Sequence, residues 1–322
     1  MYDLITIGDC LIDTFLLLKN NQANITLKKS HKKLSFDYGE KININESHVG
    51  IGGNACNVVI GAKKLGLKTS IITEIGDDIN GKVIKKQLKG HSIDTKFVHT
   101  NKGQETAYAI VLNYHAERTI LSKHPQRDYQ LPKMPKVKWI YYTSMGKGFP
   151  QLQKELIDYL KENPDVKLAI NPGSYQFAKG LRTIKRILRL SDVIICNKEE
   201  ARKIVGNTIS IKSLLKQLNA VHGGTTVITD GTRGAYATDG QQMWKMPIYP
   251  FTPIARTGAG DAYSSGFLAA IIKGKGILTA MQWGAANAGK VVQCFGAQNG
   301  LSDEKEINKT IKTYREYEPV LL

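Results

Sequence analysis

Arg256-Thr257-Gly258-Ala259-Gly260-Asp261-Ala262-Tyr263-Ser264-Ser265-Gly266-Phe267 is a glycine-rich turn that opens into an apolar run ending near Ile272. Gly258 and Gly260 permit positive φ and a close approach of the backbone to a ligand. A helix beginning here also presents N–H groups without intrahelical acceptors, a ready cradle for phosphate oxygens. Asp261 falls in the first turn of that helix. A carboxylate beside an anion site repels its ligand, so it makes chemical sense there as the group that takes a proton from a hydroxyl attacking phosphorus. An isolated Asp after Gly-Ala-Gly also serves as a cap or a partner of the helix dipole, and taken alone the stretch favours that plainer role.

A chain of 322 residues allows one large or two ordinary domains, and 42% apolar with 23% charged residues is the composition of a soluble globular protein. The net charge of +17, from 45 Lys and Arg against 28 Asp and Glu, raises the possibility of a polyanionic partner. The cations, however, are scattered Lys pairs such as Lys63-Lys64 and Lys85-Lys86, with no long block and no aromatic-basic array. The expectation is a solvated Lys-rich surface and no specific nucleic-acid site, with weak adhesion at low salt as a side effect. Cys10, Cys56, Cys196 and Cys294 lie far apart among apolar neighbours and read as reduced core residues of a cytoplasmic protein. The histidines show no zinc-ligand spacing. Met1-Tyr2-Asp3 leads into a strand pattern and not a signal peptide, and no apolar run reaches membrane-spanning length.

Along the chain, Leu4 to Gly8 is a buried-strand pattern ending at Gly8-Asp9, with Asp13 close behind. From Leu16 to Asn45 the pattern is that of a half-exposed strand excursion that could cover a site or pair with another subunit. Gly50-Ile51-Gly52-Gly53-Asn54-Ala55 fits G-x-G-x-x-A before a helix, with Glu74 placed for a ribose, yet Asn43 to Val49 makes a poor buried parallel strand in front of it. Gly76 to Val83 and Gly284 to Val291 mimic P-loops but carry Val where the metal-binding hydroxyl belongs. Thr106 to Leu112 and Arg118 to Leu121 read as a hairpin. From Lys138 onward strands alternate with helical patterns, which implies a parallel sheet covered on both faces. Asp13, Asn197 with Glu200, and Thr229-Asp230-Gly231 all fall at strand exits, the carboxyl edge where such sheets bind ligands.

Gly52-Gly53-Asn54-Ala55-Cys56-Asn57 with its helix ending Lys64-Leu65-Gly66, and Thr257-Gly258-Ala259-Gly260-Asp261 with its helix through Phe267, resemble the two signature motifs of the PfkB/ribokinase family of carbohydrate and nucleoside kinases. Ile75 to Gly81, the N-x-x-E of Asn197 to Glu200, and Gly296-Ala297 extend the resemblance over nearly the whole chain. It implies a ribokinase-like α/β fold: one kinase domain over 1–322, a central mostly parallel sheet flanked by helices on both faces, and a small β-sheet lid from about 14–49 and 97–121. Such a lid often serves as a homodimer contact. The resemblance further implies Asp261 as catalytic base, with the amides of Gly258, Ala259 and Gly260 as anion hole. Asp13, Gly53, Asn54 and Asn57 match acceptor-binding positions. Asn197 and Glu200 match residues that organise Mg²⁺ and the nucleotide phosphates, Glu200 through water, and Thr229, Gly231 and Asn287 match contacts to ATP.

Ala255 stands where many members carry an Asp, which speaks against strong potassium activation. Arg256, next to the anion hole, could assist a phosphate, though packing along the loop is the simpler expectation. A neutral monosaccharide is the first expected acceptor and a nucleoside the second. A phosphorylated sugar would call for a basic cluster, for which Lys123 and Arg118 lie in the right segment. Three other readings remain: a dinucleotide-dependent oxidoreductase using the Gly50 turn, which leaves Gly258 to Asp261 without a role; a non-catalytic sugar or nucleotide sensor; and a nucleic-acid binder explained by charge.

Overall fold

Short apolar runs too hydrophobic for a one-sided sheet assemble here into a ten-stranded sheet covered on both faces. The computed structural model describes residues 1–18, 25–28, 33–114, 117–207 and 210–322. From edge to edge the sheet runs β16 (Val320–Leu321), β15 (Met243–Met246), β14 (Ala235–Thr238), β13 (Thr225–Thr229), β12 (Val193–Asn197), β11 (Lys167–Ile170), β10 (Val137–Tyr142), β1 (Tyr2–Ile7), β6 (Thr69–Gly76) and β7 (Val98–Asn101). Neighbours from β13 to β7 are parallel. The strands β14 to β16 close that end antiparallel.

Strand alternation divides the core. Leu4, Tyr141 and Val193 face one layer, built from α1 (Asn54–Lys64), α2 (Ile79–Gly90), α8 (Ala259–Ile272), α9 (Ile277–Val291) and α10 (Glu304–Thr313). Ile5, Ile140 and Ile194 face the other, built from α3 (Pro150–Glu162), α4 (Ser174–Ala178), α5 (Leu181–Leu188), α6 (Lys198–Val205) and α7 (Ile211–His222). Helix α8 is buried along nearly its whole length, from Ala262 to Ala270, because it is flanked by α1 and α9 and its side chains join the same core as those of the sheet.

A second sheet, ordered β5-β2-β8-β9, stands over the carboxyl edge of the first. It comprises β2 (Leu11–Leu18), β5 (Ile44–Gly52), β8 (Tyr108–Tyr114) and β9 (Glu117–Lys123), and a separate hairpin pairs β3 (Ile25–Lys28) with β4 (Lys33–Phe36). This is the expected small second sheet, with two differences from the expected segments. Its strands begin at Leu11 and reach Lys123, and Val98–Asn101 belongs to the main sheet as edge strand β7. A four-residue strand is too short for its sequence to say which sheet it joins, and it is Val98, packed into the core, that decides it. Residues 19–24, 29–32 and 115–116 of the expected lid and hairpin lie outside the described residues.

Strand β5 runs antiparallel to β2, so the Gly50 turn never follows a parallel strand and the dinucleotide unit is not formed. Glu74, the would-be ribose ligand, accepts a hydrogen bond from Asn101 Nδ2 at 3.0 Å. The P-loop mimics are spent likewise: Asp78 caps α2 by accepting from the Gly81 amide at 2.9 Å, and Lys290 lies inside α9.

The α8–α9 contact depends on Gly266, where a Cβ would lie 2.6 Å from the Trp283 carbonyl oxygen. In an open helix Gly→Ala is stabilising, by up to about 1 kcal/mol. Here Gly266→Ala is expected to destabilise by about 1–3 kcal/mol in urea unfolding, through overpacking; a gain in stability would show that the two helices are free to part.

Candidate active site

Strand order lays out the site. The exits of β13, β12, β11, β10 and β1 set Thr229, Asn197, Asn171, Ser144 and Asp9 in a row along the carboxyl edge. At the usual strand spacing that row spans about 19 Å. At β1 the chain has turned to opposite sides for β6 and β10, and this is the crevice where open α/β sheets take ligands. The row floors a cleft of about 510 Å³, with Asp13, Ala109 and Ile120 of the second sheet above it and the start of α8 at its side. That volume suits small-molecule substrates.

Asp261 occupies the third position of α8 and is half-buried in the cleft wall. Asn57 Nδ2, from α1, donates to its Oδ2 at 2.8 Å. Burial pushes the Asp261 carboxyl from 3.8 up to about 7, while the Asn57 hydrogen bond and the Arg118 charge draw it down and Asp13 and Glu200 push it up. It is therefore poised to change protonation state near neutrality. Asn57 is itself held: Gln298 Nε2 donates to its Oδ1 at 2.9 Å and to the Ile51 carbonyl at 2.9 Å.

Gly258 caps α8 with φ 82, and a Cβ there would lie 2.5 Å from that of Ala297, so the turn needs glycine. Gly260, expected to need the same freedom, is helical instead, and nothing lies within 4 Å of where its Cβ would be; its use is to keep that side open. The Ala259 amide is 3.5 Å from the Arg256 carbonyl, a long turn bond. Thr257, only 9% exposed, has a buried Oγ1 without a hydrogen-bond partner at the cleft wall. A buried hydroxyl, an open glycine and first-turn amides form a donor set that fits phosphate oxygens.

Across the cleft Asn197 and Glu200 form a reciprocal cap on α6: Asn197 Oδ1 accepts from the Glu200 amide at 2.8 Å, and Glu200 Oε2 accepts from the Asn197 amide at 2.9 Å. Asn171 Nδ2 also donates to Oε2, at 3.1 Å. Burial raises the Glu200 carboxyl above its usual range. Among the described residues no three Asp, Glu, His or Cys side chains converge into a metal cluster. Glu200 is a carboxylate of the kind that helps to hold a Mg²⁺ carried largely by phosphates and water.

Most of the expected site residues line this cleft together: Asp13, Gly53, Asn54, Asn57, Asn197, Glu200, Thr229, Gly258, Gly260 and Asp261. Asp13, 8% exposed, has its carboxyl raised to about 6 by burial. Three expected residues are not among those lining it, and one of them, Ala259, sits between Gly258 and Gly260 in the first turn of α8. Gly231 lies in an exposed turn beyond β13. Asn287 is wholly buried: its Nδ2 donates to the Ala262 carbonyl and to Ser265 Oγ, and its Oδ1 accepts from the Ser302 amide. Lys123 is ion-paired with Glu105 away from the cleft, leaving Arg118 as the only Lys or Arg among the lining residues. Cys294, expected in the core, is half-buried. Sequence reasoning passed over Thr257, Asn171 and Gln298. Thr257 stands within the motif without a role assigned to it, but the other two become visible only when the fold brings distant strands and loops together.

The sequence profile of the pfkB family carbohydrate kinases matches residues 16–304. Among curated proteins, the ATP-dependent 6-phosphofructokinase of Thermoanaerobacterium thermosaccharolyticum is 24% identical over 94% of this chain and 91% of its own. The 5-dehydro-2-deoxygluconokinase of Halalkalibacterium halodurans is 28% identical over 81% of this chain and 85% of its own. Among solved structures, the Arabidopsis thaliana ribokinase complexed with ribose and ATP superposes with a TM-score of 0.75 at 18% identity, covering 97% of this chain and 99% of that one. The fold is thus that of ribokinase, and family members are phosphotransferases with an alcohol group as acceptor. This chain belongs to the pfkB family of carbohydrate kinases.

Proposed function

We propose that the protein transfers the γ-phosphoryl group of ATP to a hydroxymethyl group of a small neutral sugar, as ribokinases and fructokinases do. The observation that carries this reading is the charge of the cleft. Asp9, Asp13, Glu200 and Asp261 bring four carboxylates to it, against the single guanidinium of Arg118. A phosphorylated or acidic acceptor would meet repulsion there, whereas hydroxyls find acceptors. Apolar Leu11, Val111 and Ile120 on the lid side support a nucleoside as second reading, with the base covered by them.

In this reading Asp261 takes the hydroxymethyl proton as that oxygen attacks the γ-phosphorus; the new O–P bond forms, the bond to the bridging oxygen breaks, and ADP leaves. Mg²⁺, when bound with ATP, neutralises phosphate charge that would otherwise repel Asp261. The Thr257 hydroxyl and the amides at Gly258 to Gly260 hold the transferring group. Glu200, through water, and Asn197 would hold the metal and phosphates, with Thr229 and Gly231 on the nucleotide side. Asp13, Gly53 and Asn54 hold acceptor hydroxyls. Asn57 orients the base, and Asn287 ties α8 to α9 from behind. The second sheet excludes water, which competes as acceptor. The free, mostly buried cysteines fit a reducing cytoplasm.

The outer row of the lid, Val49, Thr14, Ile110 and Leu121 across four strands, leaves Val49 59% and Leu121 54% exposed, and we place a homodimer contact there. Light scattering should then give about twice the 35.7 kDa monomer mass, falling to the monomer in Val49→Glu/Leu121→Glu; a wild-type monomer would refute the contact.

ADP release from Mg-ATP across neutral sugars, nucleosides and sugar phosphates tests the acceptor class, with turnover expected on a neutral sugar. Turnover confined to phosphorylated sugars would overturn the reading. Asp261→Asn should lower kcat by roughly 10²- to 10⁴-fold, and wild-type kcat/KM should fall as pH drops through about 7, where Asp261 protonates. The same raised pKa sets a stability effect. Its contribution is full below the unfolded value of 3.8 and is lost as pH rises through about 7. Asp261→Asn should therefore raise Tm at pH 8 by roughly 2–5 °C, with the gain fading toward pH 4. A destabilised variant at pH 8 would contradict the burial of charge.

A further inference from the structure

Two buried polar atoms at the β1 end of the cleft have no hydrogen-bond partner: Asp9 Oδ2 and His124 Nδ1. They face each other at 3.3 Å, near enough for an ion pair but not aligned as a hydrogen bond, and both residues line the cleft. Their surroundings hold them rigidly. Tyr129 OH donates to the other Asp9 oxygen at 3.1 Å, and the Asp9 amide donates to the Ser144 carbonyl at 2.8 Å. The His124 ring rests edge-on against Tyr175, with centroids 5.4 Å apart. Asp9 leaves the core strand β1 and His124 leaves the lid strand β9, so the pair joins lid to core. Buried polar atoms without partners are costly and rare, and a pair held in place by neighbours calls for a group that satisfies both.

We infer that Asp9 and His124 together bind one hydroxyl of the acceptor, on the far side of the sugar from the hydroxymethyl that is phosphorylated; this rests on the kinase reading above. A hydroxyl can donate to Asp9 Oδ2 while accepting from His124 Nδ1–H, which neither a methylene nor an anion can do. Its place follows from α1. The carbonyl of Asp9 packs against Gly53 at the cap of that helix, whereas Asp261 is bonded to Asn57 one turn further on. The offset along the helix is about 6 Å, the reach of one sugar ring. The acceptor class is therefore a neutral polyhydroxyl compound with a free hydroxyl opposite its hydroxymethyl. Sugar acids or phosphates with charge at that end meet Asp9.

The test compares kcat/KM for the best neutral sugar and its monodeoxy analogues in the wild type, Asp9→Ala and His124→Phe, the last of which keeps an aromatic ring against Tyr175. In the wild type, removal of one particular hydroxyl should cost roughly ten- to hundredfold, mostly in KM. That penalty should shrink below about threefold in both variants while penalties at other positions persist. A wild type indifferent to every deoxy position, or a penalty unchanged in both variants, overturns the subsite while leaving the kinase reading in place. A wild type that phosphorylates no neutral sugar overturns both.

Discussion

A carboxylate kept half out of water at the start of a helix built to receive anions is the constraint on which the rest of the structure depends. Asp261 is raised to about 7 by burial, and burial is imposed from behind by the contact of α8 with α9 and from the side by α1 through Asn57. The first-turn amides and the raised pKa have one origin, because the same packing that buries α8 leaves its open end facing the cleft. In the proposed mechanism a base at this position needs no partner histidine. What it needs is a fixed orientation and a neighbour that offsets phosphate charge.

The orientation is supplied over long sequence distances. Gln298 holds Asn57, Asn57 holds Asp261, and Asn287 fastens the start of α8 to the loop at Ser302. Asn57 lies 204 residues from Asp261 and 241 from Gln298, and with the segments around Ala262, Asn287 and Ser302 it acts as one unit. Asn57 and Asn287 both match motif positions of the family, and their amides are engaged by protein groups, so in the proposed mechanism what they contribute is rigidity.

Much of this was legible in the sequence. The mostly parallel sheet and the helices on both faces follow from strand and helix periodicity, because periodicity records burial, whereas the small second sheet was implied by the family resemblance that the two glycine motifs carry. The poor strand before Gly50 correctly separated a lid turn from a dinucleotide turn. What could not be read lies in pairings between remote residues. Nothing local in Gln298 points to Asn57, nothing in His124 points to Asp9, and the four residues of β7 carry too little pattern to name their sheet. The charge of the cleft was hidden for the same reason: a chain with a net charge of +17 lines its cleft with acids, and only the fold shows which side chains face inward.

The most direct measurement of the central claim is a ¹³C NMR titration of the aspartate carboxyl carbons, with the Asp261 resonance assigned by its loss in Asp261→Asn. A carboxyl titrating near 7 in the free protein is expected for Asp261. A midpoint at or below the ordinary value of 3.8 would contradict a buried, poised base and leave Asp261 as a helix-dipole partner.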